Sequence, residues 1–302
     1  MFLLKTIGLF GVLWLFGNAL HGTWVSVRRH LWESGFTRDQ DGLLPHGAAY
    51  TEGAGEIALL FVHGFADTPM LWKKLVGRLA QSGGFTCRAM RLPGAAEPLS
   101  SARHTTLAQW RGGLDTEIAA LRATHSAVWV IGHSLGAALA IDAVQRTPHQ
   151  IAGLVLLAPL IEVSRARSPL LHPRIWFRIG RVAFALSPTF ESCFTKIATA
   201  PDDPAFRYPR DRFIPFCVYR NLFALIASNA RPKNTLTLPV FAAISGRDRV
   251  IDSAAALRWL AVYAKDAQVE TFPDTGHVLP LKQNGYALAD AIAAFIQQPP
   301  KG

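Results

Sequence analysis

The sequence has few cysteines, and none of them are spaced to form a site. Cys87, Cys193 and Cys217 are the three in 302 residues, and no two stand in a CxxC arrangement. A sparse, odd set argues against a disulfide framework and against a cysteine-ligated metal. We therefore expect three free, packed thiols, with a Cys193–Cys217 pair as the alternative, and a chemistry that uses no metal or cofactor.

The motifs by which a basic protein binds nucleic acid are also missing. The chain has 31 basic and 21 acidic residues and a formal net charge of +10. It lacks zinc-finger spacing, an RNA-binding aromatic motif and a lysine-rich tail, so nucleic acid is excluded as the expected partner. Nothing in the sequence indicates an obligatory protein partner. Half of the residues are hydrophobic, which is enough for the core of one large domain.

Charge is absent from the beginning of the chain. No charged residue occurs from Thr6 to Val27, and the stretch is about as long as a bilayer-spanning helix. Residues 1–27 are therefore predicted to be an uncleaved membrane anchor, which would place the protein at a membrane. The sequence does not decide on which side of that membrane the rest of the chain lies. The alternative is a cleaved signal segment with Gly17-Asn18-Ala19 as its processing site, which would make the protein secreted or periplasmic.

The rest of the chain, residues 28–302, alternates short apolar runs with helical patterns. Strand-like runs include IALLFV from Ile57, AVWVIG from Ala127 and VFAAIS from Val240, and helical periodicity follows several of them. Continuous apolar strands are typical of strands buried on both faces. The pattern predicts an α/β fold with a mostly parallel sheet and helices on both faces.

This alternation is interrupted at about residues 163–233. The interruption holds 12 basic and four acidic residues, a net charge of +8, and many aromatic side chains. We expect an inserted helical cap, and we call residues 163–233 the cap segment. Arg174, Arg178 and Arg181 fall on one helical stripe beside apolar positions. Such a helix lies in a lipid interface or simply solvates its arginines over the core, and the predicted anchor favours the lipid interface.

A serine between two glycines stands where a strand changes into a helix. VWVIGHSLGAALA, Val128–Ala140, places Ser134 between Gly132 and Gly136. A sharp strand-to-helix turn exposes the serine Oγ and leaves no room for larger neighbours. The N-terminus of the following helix supports a negatively charged reacting oxygen. This context predicts that Ser134 is a nucleophile.

The serine requires a base and an acid that orients it, and in the fold with this kind of elbow they follow in the chain order Ser, then Asp or Glu, then His. Asp248 follows one predicted strand and His277 follows the next, at the sheet edge where parallel sheets carry their chemistry. His277 is expected to take the Ser134 proton and Asp248 to orient the imidazole. Asp252 is the alternative acid, and Asp274 is expected to belong to a turn.

An oxyanion hole is expected from two backbone N–H groups. The residue after the nucleophile, Leu135, supplies one, and the loop after the first long strand supplies the other through Phe65. Gly64 lets that loop bend towards the substrate. His63 and His133 are expected to have structural roles.

These motifs together carry a resemblance. HGF, RLPG, GHSLG, SGRDRV and GHV, in this order, are similar to the α/β-hydrolase superfamily, and within it to the carboxylesterase, monoacylglycerol lipase and lysophospholipase branch. The resemblance runs from about Ala58 to Ile296, apart from the cap segment. Ala95 and Ala96 depart from it, because members of the branch often have a His-Gly step after LPG.

The resemblance implies a serine hydrolase that cleaves carboxylic esters, with lipid-like acyl esters as substrates. An acyltransferase with the same triad, or a non-catalytic binding protein on the same fold, are the two alternatives. Product analysis with an acceptor alcohol separates the first, and a serine-directed label separates the second.

Overall fold

The structure is a computed structural model that describes residues 2–166, 168, 170–192, 197–200, 203–281 and 285–298. Within these residues the backbone forms nine α-helices and eleven strands. The helices are α1 (Phe2–Glu33), α2 (Lys73–Gln81), α3 (Leu99–Ala102), α4 (Leu107–Arg122), α5 (Leu135–Arg146), α6 (Pro173–Ala183), α7 (Phe216–Asn229), α8 (Ser253–Tyr263) and α9 (Gly285–Ile296). The strands are β1 (Tyr50–Glu52), β2 (Ile57–Val62), β3 (Phe85–Met90), β4 (Ala127–His133), β5 (Gly153–Leu157), β6 (Thr189–Glu191), β7 (Ile197–Ala200), β8 (Asp203–Pro209), β9 (Phe213–Pro215), β10 (Val240–Ser245) and β11 (Gln268–Phe272).

Seven strands form one sheet in the order β1-β3-β2-β4-β5-β10-β11. Six of them are parallel, and β1 joins the edge antiparallel to β3. Strands β4, β5 and β10 are almost entirely buried, as their continuous apolar runs predict. The predicted α/β fold with a mostly parallel sheet is therefore confirmed.

Helices cover the sheet in two groups. Helices α2 and α9 pack against each other, and Phe295 of α9 contacts Trp129 of β4 and Phe241 of β10. Helices α4, α5 and α7 form the second group. Helix α4 begins with a capping box, because Thr106 and Gln109 exchange side-chain-to-backbone hydrogen bonds.

The cap segment lies between β5 and β10 and is less helical than expected. It contains α6 and α7, but also the antiparallel pairs β6–β9 and β7–β8. Prolines at 188, 204, 209 and 215 punctuate this part of the sequence. Proline removes an N–H donor from a helix interior, so these positions favour short extended pieces over longer helices.

The predicted membrane anchor is wrong. Helix α1 is 32 residues long, yet among the described residues no helix is both long and apolar enough to cross a membrane. Polar residues interrupt its apolar run because they bind the cap segment. Asn18 Nδ2 donates to the carbonyl oxygen of Ala183 at 2.8 Å, and His21 Nδ1 lies 2.8 Å from Ser187 Oγ. The assignment to a membrane, which depended on the anchor, loses its basis.

The lipid interface expected for the arginine stripe of α6 was favoured by the same predicted anchor and loses that support. Arg174 pairs with Glu162 at 3.2 Å, and its guanidinium lies over the ring of Phe223.

Of the cysteines, Cys87 and Cys217 are free thiols. Cys193, and with it the alternative disulfide, lies outside the described residues.

Candidate active site

Ser134 stands at a strained turn between β4 and α5. Its backbone has φ 54° and ψ −111°, in a region that residues other than glycine rarely adopt. Its N–H donates to the Leu157 carbonyl oxygen at 2.9 Å, and its own carbonyl accepts from Ala138 and Leu160. These bonds hold the strained residue in place, as strain at a functional site requires.

The flanking glycines are required by close backbone contacts. A Cβ on Gly136 would lie 2.0 Å from the Val62 carbonyl oxygen, and one on Gly132 would lie 2.4 Å from the Ala137 nitrogen. Both distances are far below van der Waals contact with backbone that cannot move aside. The tight turn that the sequence motif predicts is therefore present, and strand β2 packs directly against it.

Ser134, His277 and Asp248 lie in one hydrogen-bonded line. His277 Nε2 is 3.0 Å from Ser134 Oγ, and His277 Nδ1 is 2.7 Å from Asp248 Oδ2. The structure thus brings together three residues that lie on three separate strand ends. Since a carboxylate only accepts, Nδ1 carries a proton and Nε2 is the nitrogen that faces the serine hydroxyl.

Asp248 is buried and well supplied with donors. Its Oδ1 accepts from the backbone N–H of Val250 at 2.7 Å and of Ile251 at 3.0 Å. Burial raises the pKa of Asp248, but the hydrogen bond and charge of His277 and these two N–H groups outweigh burial and leave the pKa below its ordinary value. The carboxyl group is therefore ionised when His277 needs a negative partner.

The other two candidate aspartates lie elsewhere. Asp252 caps helix α8 by accepting from the Ala255 N–H at 2.8 Å. Asp274 pairs with Arg247 at 2.6 Å in the exposed turn before His277. Neither has a hydrogen bond to His277 among the described residues.

The loop after β2 lies against the elbow. A Cβ on Gly64 would lie 3.4 Å from Ser134 Cβ, so Gly64 allows the loop to approach the nucleophile. Leu135 is the first residue of α5, and the N–H of such a residue has no acceptor within its helix. Phe65 and Leu135 both line the cleft described below.

Two buried histidines support this arrangement. His63 donates from Nδ1 to the Gly64 carbonyl oxygen at 2.9 Å and accepts the Leu92 N–H on Nε2 at 3.1 Å. Burial lowers its pKa to about 4, and burial lowers the pKa of His133 to about 3. Both rings are therefore neutral near pH 7, in line with the structural roles expected from the sequence.

The cap segment contributes a polar cluster that the sequence did not predict. Arg210 Nε donates to the Ala66 carbonyl oxygen at 3.2 Å and Nη2 to that of Phe65 at 3.3 Å. Arg210 also pairs with Asp67 at 3.0 Å, and the Tyr208 hydroxyl donates to Asp67 at 2.9 Å. These side chains are at least nine-tenths buried and fasten the cap segment to the loop that carries Phe65.

A cleft adjoins the elbow at Leu135. One part of its wall is Gly64, Phe65 and Leu135. Another part comes from the end of α1 and from cap residues 211–215. Ala96, one of the two residues that depart from the family pattern, contacts this region, because its N–H donates to Asp211 Oδ2 at 3.0 Å. No pattern in the sequence indicated that α1 would help to form this cleft.

Comparison with known proteins decides the family. The sequence profile of the alpha/beta hydrolase family matches residues 59–291, which is more than three quarters of the chain. The chain belongs to the alpha/beta hydrolase family. The expected resemblance is therefore confirmed, and the matched region contains Ser134, Asp248 and His277.

One relative of this alpha/beta hydrolase is an esterase. Over 108 residues it is 34% identical to the pimeloyl-[acyl-carrier protein] methyl ester esterase of Sodalis glossinidius, a stretch that spans 36% of this chain and 38% of that protein.

Among solved structures, it resembles one from a study of the metagenome-derived lipolytic enzymes LipS and LipT, with a TM-score of 0.70, 18% identity, and coverage of 84% of this chain and 99% of that one. The monoacylglycerol lipase of Paleococcus ferrophilus follows, with a TM-score of 0.67, 19% identity, and coverage of 82% and 97%. At these identities the likeness establishes the fold.

Proposed function

We propose that this alpha/beta hydrolase is a serine hydrolase that cleaves carboxylic esters through an acyl-enzyme. The observation that carries the proposal is the line of contacts from Ser134 Oγ through His277 to Asp248, at 3.0 and 2.7 Å. A weak nucleophile needs an adjacent base, and that base needs an orienting partner, which is the arrangement found here.

In the first half of the reaction, His277 Nε2 takes the proton of Ser134 Oγ as the oxygen attacks the ester carbonyl. The N–H groups of Phe65 and Leu135 stabilise the negative charge that develops on the carbonyl oxygen. His277 then gives its proton to the leaving alcohol, and the acyl group remains on Ser134.

In the second half, water takes the place of the alcohol. His277 removes a proton from the water as it attacks the acyl-enzyme, and then returns the proton to Ser134 Oγ while the carboxylic acid leaves. Asp248 stays ionised and stabilises the imidazolium that forms in each half.

The apolar part of the cleft supports the proposed substrate class. Phe65, Leu135 and Val218 line it with apolar surface, which suits an acyl chain. Acyl esters such as monoacylglycerols or lysophospholipids are therefore the proposed substrates. The structural likeness to a monoacylglycerol lipase agrees with this choice but establishes the fold alone.

Two experiments on the purified protein test the proposal. A fluorophosphonate probe should label the wild type at Ser134 and should not label the Ser134→Ala variant. Peptide mass spectrometry identifies the labelled residue. A panel of acyl esters of graded chain length should be hydrolysed by the wild type, and Ser134→Ala should lose turnover by roughly 10⁴-fold or more. Labelling at another residue, or turnover retained in Ser134→Ala, would place the nucleophile elsewhere.

A further inference from the structure

Three residues that line the cleft each carry a buried N–H donor without an acceptor. The donors are Arg29 Nε, Trp32 Nε1 and Arg212 Nε. Among the residues that the structure describes, eight buried side-chain polar atoms lack a partner, and three of the eight belong to residues of this one cleft. Buried donors are nearly always satisfied, so a concentration in one place calls for an explanation.

The donors come from two separate parts of the chain. Arg29 and Trp32 are three positions apart on α1, so they present neighbouring side chains on one helix face. The Trp32 ring is held edge-on by Phe36 and Phe213, with ring centroids 5.4 and 6.1 Å apart. Arg212 is 5% exposed, and its Nη2 pairs with Glu191. These side chains are positioned by the protein before any ligand arrives.

The charges around the cleft leave one guanidinium unbalanced. Arg38 pairs with Glu33 at 3.2 Å. Glu97 pairs with Arg91 and accepts the Gly94 N–H.

The remaining acid is Asp211, whose pKa burial raises to about 7, so it is only partly ionised at neutral pH. Arg29 has no carboxylate within 4.0 Å among the described residues. The cleft therefore offers unpaired donors together with unpaired positive charge.

We propose that Arg29, Trp32 and Arg212 form a subsite for an anionic group, a carboxylate or a phosphate, carried by the ester substrate. The proposal rests on the proposed ester hydrolysis and specifies its substrate. Guanidinium and indole N–H groups suit such oxygens, and hydrogen bonds to a charged acceptor are the stronger kind. Because Phe65 and Leu135 line the same cleft, one molecule would place its ester carbonyl near these residues and its anion near Arg29.

The anion can belong to the acyl chain or to the alcohol, and two matched pairs of esters separate these sources. The first pair is 4-nitrophenyl hexanoate and mono-4-nitrophenyl adipate, which differ by a methyl group replaced with a carboxylate. The second pair is 1-hexanoylglycerol and its 3-phosphate. We expect one charged member to exceed its neutral partner in kcat/KM by roughly 10- to 100-fold, the range of one or two charge-assisted hydrogen bonds.

Variants then assign the preference to the subsite. Arg29→Gln should remove most of it, measured as the ratio of kcat/KM between the charged and the neutral ester of a pair, and Trp32→Phe should reduce this ratio in part. Arg178→Gln is the matched control, because Arg178 is exposed on α6 and its loss removes the same charge away from the cleft. Equal effects of Arg29→Gln and Arg178→Gln, or no preference for either charged ester, would overturn the subsite while ester hydrolysis stands.

A binding measurement is independent of turnover. The dissociation constants of the four esters for Ser134→Ala should show the same preference for one charged member, and Arg29→Gln in that background should abolish it. If the wild type hydrolysed none of the esters while this binding preference appeared, the subsite would hold and ester hydrolysis would fall.

Discussion

His133 Nε2 lies 2.9 Å from the backbone carbonyl oxygen of His277. A carbonyl oxygen only accepts, so Nε2 is the protonated nitrogen of His133. The two rings are 4.9 Å apart, and the opposite nitrogen of His133 faces the position where a Cβ on Gly64 would lie, at 3.0 Å. One neutral ring thus lies between the residue proposed as general base and the loop proposed to bind the oxyanion.

This contact predicts that His133 positions His277. His133→Phe removes the donor and should lower kcat by roughly tenfold with little change in KM, since one buried hydrogen bond contributes about 1 to 2 kcal/mol. His133→Gln retains a donor and should recover part of the loss. His149→Phe, at an exposed position, is the control. Equal losses of kcat in the phenylalanine and glutamine variants would argue against positioning by this hydrogen bond.

Asp248 and Asp252 should differ sharply although they are four residues apart. Asp248→Asn leaves His277 in the wrong tautomer and should lower kcat by roughly 10³- to 10⁴-fold. Asp252→Asn should have little effect on activity or stability, because asparagine caps a helix about as well as aspartate does. Steady-state kinetics with one soluble ester compares the two, and the reverse ranking would assign the acid role to Asp252.

The cap cluster should control the oxyanion loop. Tyr208→Phe removes one donor to Asp67, and Arg210→Met removes the guanidinium that binds the Phe65 and Ala66 carbonyl groups. Both variants should lower kcat for a small soluble ester, and Arg210→Met should do so more strongly.

Arg210→Met also leaves the buried Asp67 carboxylate without its cationic partner and should destabilise the fold by about 3 to 5 kcal/mol. Tyr208→Phe, expected to lose about 1 kcal/mol, keeps the test valid if Arg210→Met does not fold. Arg207→Met is the control, because Arg207 is exposed on the same strand. A folded Tyr208→Phe with wild-type kcat would separate the cap segment from the oxyanion loop.

Stability should fall as the solution becomes acidic. Burial lowers the pKa of His63 to about 4 and of His133 to about 3, against an ordinary value of 6.5. Below pH 6.5 these two histidines therefore bind protons in the unfolded chain but stay neutral in the native state. The free energy of unfolding should decrease from about pH 6.5 downwards, by up to about 1.4 kcal/mol per pH unit for each histidine. Asp211, whose pKa is raised to about 7, takes up a proton in the native state over the same range and offsets about one histidine's share, so the net decrease is that of about one histidine.

Urea unfolding at pH 8, 7, 6 and 5 measures this slope. His63→Gln should make it shallower by the share of one histidine, and His149→Gln should leave it unchanged. A free energy of unfolding that is the same at pH 5 and pH 8 would contradict the prediction.

Local sequence signals were sufficient for the elbow and for the order of Ser134, Asp248 and His277. Each of these residues follows a buried strand, and parallel strands end at the same edge, so the sequence pattern alone brings them near one another. The same patterns located the main parallel strands. The three-residue edge strand β1 and the helix α8 were not predicted, since one is too short and the other carries too diffuse an apolar pattern for periodicity to be informative.

The missed features depend on distant contacts. Arg210 and Ala66 are separated by 144 positions, and no spacing rule connects them. The same applies to α1, whose apolar residues suggested a bilayer while Asn18 and His21 in fact bind the cap segment. A hydrophobic run reports only that apolar surface exists, and the tertiary structure decides what that surface meets.

The contribution of α1 to the cleft divides the enzyme's properties between two stretches of chain. Ser134, Asp248 and His277 lie within residues 59–291, which match the family, whereas Arg29 and Trp32 lie before them. Two of the three residues of the proposed subsite thus lie outside the family region, and Arg212 lies inside it. We therefore expect a change in the first helix to alter which ester is accepted without touching the groups proposed to break it.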